Sequence, residues 1–137
     1  MEEIKTEIVG NLAEAPKEAT PHEKMVESIK GYPFLRYENG NIAVNHDEFK
    51  EILKLKILKM GDLSRRGVLL ANLNGGANNL DADTAILNSC MATVQVGYEN
   101  FKFNLMEVTD TQLILGLYAA VTGYNNFFRK TPLGVVL

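Results

Sequence analysis

Residues 34–44 run Phe34-Leu35-Arg36-Tyr37-Glu38-Asn39-Gly40-Asn41-Ile42-Ala43-Val44, and this stretch decides the first half of the fold. An Asn-Gly pair between two apolar runs is the strongest short-range hairpin signal, because both central residues of a type I′ turn need positive φ. Two strands alone are marginal in water, so the hairpin needs a third. Residues 47–60 admit two readings. Phe49, Ile52, Leu53, Ile57 and Met60 would share one face of a helix opened by Asn45 or Asp47. Leu53-Lys54-Leu55-Lys56-Ile57 instead alternates as a half-buried strand does. The need for a third strand favours a strand over 52–58.

Working outward, Thr20-Pro21 marks the start of a short helix over 21–30, with Pro at the first helical position and Glu23 in the first turn. Met25, Val26 and Ile29 share a face, and Gly31-Tyr32-Pro33 ends the helix. Three longer helices are expected downstream. The first opens at Gly61-Asp62, with Asp62 as cap, and runs to about Asn72 with Leu63, Leu69, Leu70 and Leu73 inward. Asn74-Gly75-Gly76-Ala77-Asn78-Asn79 is a loop. Asp81 or Asp83 starts the second, which runs to about Val96 and turns Ala82, Ile86, Leu87, Cys90, Met91 and Val94 inward, with Gly97 as its C-terminal cap. Thr109-Asp110-Thr111-Gln112 reads as a capping box opening the third. Its stripe is Leu113, Leu117, Ala120, Val121, Tyr124 and Phe128, with Arg129-Lys130 at the negative end of the dipole and Pro132 as a stop. The expected class is α+β, mainly α: a small N-terminal β-hairpin or three-stranded sheet followed by a three-helix module.

The 137 residues fit one domain, at 46% hydrophobic and 23% charged. Charge divides unevenly. Residues 1–20 hold five acids, two lysines and few apolar groups, which leaves 12 charges of each sign in the remainder. The expectation is a flexible acidic arm over 1–20 and a single globular domain over 21–137. A neutral body argues against nucleic-acid binding, which needs several phosphate contacts. The lysines at 50, 54, 56 and 59 read as a solvated face. No apolar run approaches the roughly 20 residues of a membrane span. The acidic opening lacks the pattern of a secretory signal.

Chemistry is sparse. Cys90, the single cysteine, falls among Leu87, Met91 and Val94, where a small buried hydrophobe belongs. His22 and His46 are too far apart to suggest a metal cluster, and His46 reads as a turn residue without a nucleophile beside it. The loop at 74–79 lacks the Gly-Lys-Ser/Thr of a phosphate loop, and Asp81 and Asp83 lack calcium-loop spacing. No catalytic, cofactor-binding or metal residues are expected, and no cofactor. Function is expected in protein contacts, self-association among them. The candidates are Tyr32, Phe34, Phe127, Phe128, Leu133, Val135, Val136 and Leu137, with Phe127 pointing away from the inward stripe that holds Tyr124 and Phe128.

Residues 40–129 carry a resemblance. The hairpin around Tyr37–Val44 and the strand Leu53–Ile57 lead through Lys59-Met60-Gly61-Asp62-Leu63 into helices. Asn104-Leu105, Thr109–Leu113, Leu117-Tyr118 and Phe127-Phe128-Arg129 follow in order. This layout resembles the small tail assembly chaperones of long-tailed bacteriophages. The resemblance implies a non-enzymatic factor in the host cytoplasm that binds the tape-measure protein and keeps that long helical client soluble while the tail tube assembles. The alternative is a small structural virion protein, a connector or accessory subunit, contacting other tail proteins.

Overall fold

The computed structural model describes residues 20–75 and 79–130. The arm expected over 1–20, apart from Thr20, and the apolar residues at 133–137 lie outside the described residues. Helix α1 (Pro21–Ser28) starts as its sequence predicts. The Thr20 hydroxyl accepts from Glu23 N–H at 3.2 Å, and the Glu23 carboxylate accepts from Thr20 N–H. Met25 and Ile29 are buried, whereas Val26 is exposed.

Strands β1 (Leu35–Glu38) and β2 (Asn41–His46) pair antiparallel with Glu38 opposite Asn41, so the turn is two residues long. Asn39 and Gly40 take φ of 49° and 85°, as a type I′ turn requires. A third strand, β3 (Phe49–Lys54), completes an antiparallel sheet in the order β1-β2-β3. It begins and ends earlier than the 52–58 expected. The reason is a second two-residue turn at Asp47-Glu48, which sets His46 opposite Phe49. In that register Ile42, Val44, Phe49 and Leu53 face the core while Ile52 faces out.

Three helices follow: α2 (Met60–Asn74), α3 (Ala82–Gly97) and α4 (Thr111–Phe128), with a 3₁₀ turn at Leu105–Glu107. The α+β architecture, a sheet followed by a helical module, is the one the sequence predicts. Helix α3 packs against both α2 and α4, and α1 packs against α4. Leu113, Leu117, Ala120 and Val121 of α4 are fully buried and join α3 and the inner sheet face in one core. Gly97 is the last residue of α3 rather than its cap, which is Tyr98, and a Cβ at Gly97 would overlap the Val121 side chain.

Two N-terminal caps differ from expectation. Asp62 is not the N-cap of α2 but its third residue, where its carboxylate accepts from Lys59 N–H at 2.9 Å. Lys59 has no acceptor with which to return the bond. Helix α4 is capped by Asp110, whose carboxylate accepts from Gln112 N–H; Thr109 is engaged elsewhere. Arg129 is the C-cap of α4, in extended backbone, and its N–H donates to the Asn125 carbonyl at 3.0 Å. Two side chains of α3 expected inward also face solvent: Ala82, and Ile86 at 56% exposure.

Candidate functional site

The densest polar constellation joins the β2–β3 turn to the start of α4. His46 Nε2 lies 2.7 Å from Asp110 Oδ2, and His46 Nδ1 accepts from Glu48 N–H at 3.0 Å. The Glu48 carboxylate in turn accepts from the N–H and hydroxyl of Thr109 and from Asp110 N–H. The Nδ1 contact places the ring proton of neutral His46 on Nε2, donating to Asp110. A His-Asp pair can serve a nucleophile only if one ring nitrogen is left free to take a proton. Here both are occupied. The cluster is a bracket between sheet and helix, made of groups 64 residues apart in sequence. It holds two carboxyls below their ordinary range: Glu48 chiefly through the Thr109 hydroxyl, Asp110 chiefly through His46.

Other chemistry-bearing residues are used structurally. Burial pushes the Cys90 thiol up, away from the reactive thiolate. Asp81 caps α3 through Thr84. The lysines at 50, 54, 56 and 59 do not form one surface: Lys54 pairs with Glu99, and half-buried Lys56 pairs with Asp62 at 3.0 Å. Burial alone would raise the Asp62 carboxyl, but Lys59 N–H and the Lys56 ammonium bring it below its usual value. Among the described residues, no three His, Cys, Asp or Glu side chains are grouped to hold a metal ion.

The four contact candidates among the described residues are not assembled into one patch. Tyr32 and Phe34 are half-buried against Gly116, where a Cβ would stand 3.1 Å and 3.0 Å from their rings. Phe127 and Phe128 lie eleven and twelve residues further along α4, about 17 Å away. Their orientations also reverse the expectation. Phe127 packs on the core, whereas Phe128 is 39% exposed and rests on the Tyr124 ring at 4.9 Å. Helical periodicity put Phe128 inward, but on the last turn its neighbour is Tyr124 rather than the core.

A cleft between two helices was not foreseen. It is about 300 Å³, lies between the N-terminal halves of α3 and α4, and is lined by Asp83, Ile86, Leu87, Thr111 and Leu115. Ile86 and Leu87 belong to the apolar side of α3 in sequence. Nothing local shows that α4 leaves Ile86 uncovered.

No known family model, curated protein or solved structure matches the chain. Among the described residues, no helix is long and apolar enough to cross a membrane.

Proposed function

We propose that this protein is a non-enzymatic assembly chaperone of the long-tailed phage type, binding an apolar stripe on the helical tape-measure protein in the host cytoplasm. The observation that carries this reading is the cleft between α3 and α4, where exposed Ile86 stands beside Leu87 and Leu115. A groove between two helices accepts one face of a third through apolar anchors at i, i+3 and i+4 spacing. Asp83 and Thr111 give the groove a polar rim, which keeps the free surface solvated. The layout of residues 40–129 adds the resemblance to tail assembly chaperones.

The test is co-expression with the tape-measure protein of the same genome. The wild-type chain should keep that protein soluble and co-purify with it. Ile86→Asp should abolish both without lowering the melting temperature, since Ile86 is solvent-facing. Retained co-purification in that variant would remove the groove from the binding surface. Recovery of the protein in purified virions at fixed stoichiometry would instead make it a structural subunit.

A further inference from the structure

The sheet's two edges are finished differently. Beside β3, Glu99 N–H donates to the Lys54 carbonyl at 2.9 Å and Lys56 N–H to the Gly97 carbonyl at 3.2 Å. Asn100 accepts from Lys54 N–H and donates to the Ile52 carbonyl. Strand β1 forms the other edge. The two-residue turn makes Glu38 and Asn41 a hydrogen-bonded pair, and the Phe34 carbonyl accepts from Asn45 N–H in the same phase. Phe34, Arg36 and Glu38 thus turn their backbone groups to β2. Leu35 and Tyr37 turn theirs outward, and so does Asn39 N–H, because it opposes the Glu38 carbonyl across a trans peptide. Leu35 N–H is held by the Tyr32 carbonyl at 2.9 Å. Among the described residues, the other four groups have no backbone partner.

Those four groups alternate along the edge. The Leu35 carbonyl accepts, Tyr37 N–H donates, the Tyr37 carbonyl accepts and Asn39 N–H donates. Read backwards, the order is donor, acceptor, donor, acceptor. The edge is therefore complementary to its own reverse, which is what an antiparallel copy presents.

We infer that the β1 edge is the interface of a homodimer, in which two copies pair antiparallel about a two-fold axis at Tyr37. Each Tyr37 exchanges both backbone bonds with its counterpart, and each Asn39 N–H donates to the Leu35 carbonyl of the other copy. The two sheets become one of six strands. Growth stops there, because the β3 edge is already covered.

The side chains select the same register. Arg36 and Glu38 lie exposed on the outer face and pair with each other at 2.9 Å. With Tyr37 on the axis, Arg36 of each copy stands directly opposite Glu38 of the other, in the closer, non-hydrogen-bonded kind of pair. The two existing ion pairs then lie side by side with their signs alternating. A slip of one residue either way sets Arg36 against Arg36 or Glu38 against Glu38, and such like-charge pairs are unfavourable. Each slip also leaves only two of the four main-chain bonds, since Leu35 N–H is taken. Helix α1 leaves space along the edge. A groove of about 180 Å³, lined in part by Val26 and Ile29 of α1 and by Leu35 and Tyr37 of β1, separates the two.

Four main-chain bonds and two charge pairs make less than a standard interface, so dimers of the full-length chain should form between about 10 μM and 1 mM. Sedimentation equilibrium over that range tests the pairing. Arg36→Glu and Glu38→Arg should each weaken the dimer about tenfold, and the two together should restore it. All three variants should melt as the wild type does, because the pair is exposed. In a mixture of labelled and unlabelled protein, Overhauser contacts should link the Arg36 and Glu38 α-protons of different copies. The inference is overturned by a chain that stays monomeric at 1 mM, by a dimer indifferent to single reversals, or by failure of the double swap to restore it. Protection of the Tyr37 amide in the monomer would also overturn it, since the chain itself would then cover the edge.

Discussion

The polar ties that hold the two ends of helix α4 to the preceding chain differ in kind. Near its C-terminal end, Asn125 is fully buried. Its Oδ1 accepts from Leu58 N–H at 2.8 Å, and its Nδ2 donates to the carbonyls of Lys56 and Val121. At its N-terminal end, Thr109 and Asp110 are gripped by Glu48 and His46, where Thr109 is exposed and the other three are half-buried at the surface. Both ties use several hydrogen bonds, yet their energetic consequences are unequal. Water can replace the partners of the outer tie when it breaks. It cannot reach those of the inner one, so lost bonds there leave polar groups buried and unpaired.

The sharpest way to break this contrast is Asn125→Ala. It orphans Leu58 N–H and the Lys56 carbonyl, and should cost about 4 kcal/mol in denaturant melts. A loss below about 1 kcal/mol would mean that the inner tie is hydrated. Leu117→Ala sets the scale for burial alone. Leu117 is fully buried at the centre of α4, and its removal should cost about 3 kcal/mol. Gly97→Ala probes how closely α3 holds α4, and the clash with Val121 should cost about 1–3 kcal/mol. Adding Val121→Ala should recover part of that loss, and simple additivity of the two would show that the helices separate instead.

The smallest effect belongs to the outer tie. Glu48→Gln should lower the melting temperature less than any of these at neutral pH, and its signature is in pH. The folded state holds the Glu48 and Asp110 carboxyls below their ordinary values, so their contribution is present above the unfolded pKa, 4.5 for Glu48. It is lost as pH falls through the lower folded values. Stability of the wild type should therefore decline more steeply in acid than that of Glu48→Gln, as melts from neutral to acid pH would show. Parallel curves would remove Glu48 from the outer tie.

The same contrast separates what could be read in the sequence from what could not. The hairpin was legible because Asn39-Gly40 is a local signal with a steric cause. The third strand was legible in kind, but the turn at Asp47-Glu48 that fixes its limits carries no Gly or Pro to announce it. Asn125 was not legible, since its partners lie 67 and 69 residues earlier. Thr109 and Asp110 are both residues that cap helices, and only the distant Glu48 decides between them by taking Thr109. The cleft at Ile86 was missed for a related reason: periodicity shows which side of α3 is apolar, but not how far a neighbouring helix covers it.

The fully buried Tyr98, whose hydroxyl donates to the Leu117 carbonyl at 2.8 Å, has an optical consequence. The chain has no tryptophan, so its near-ultraviolet absorbance comes chiefly from five tyrosines. Burial pushes the Tyr98 phenol well above its usual value of 10.0, which makes its neutral form a condition of the fold. The stability it contributes is present below that value and is lost as pH rises above it. In an alkaline titration Tyr98 should ionise only together with cooperative unfolding. One native side chain then serves as a colour indicator for the state of the core.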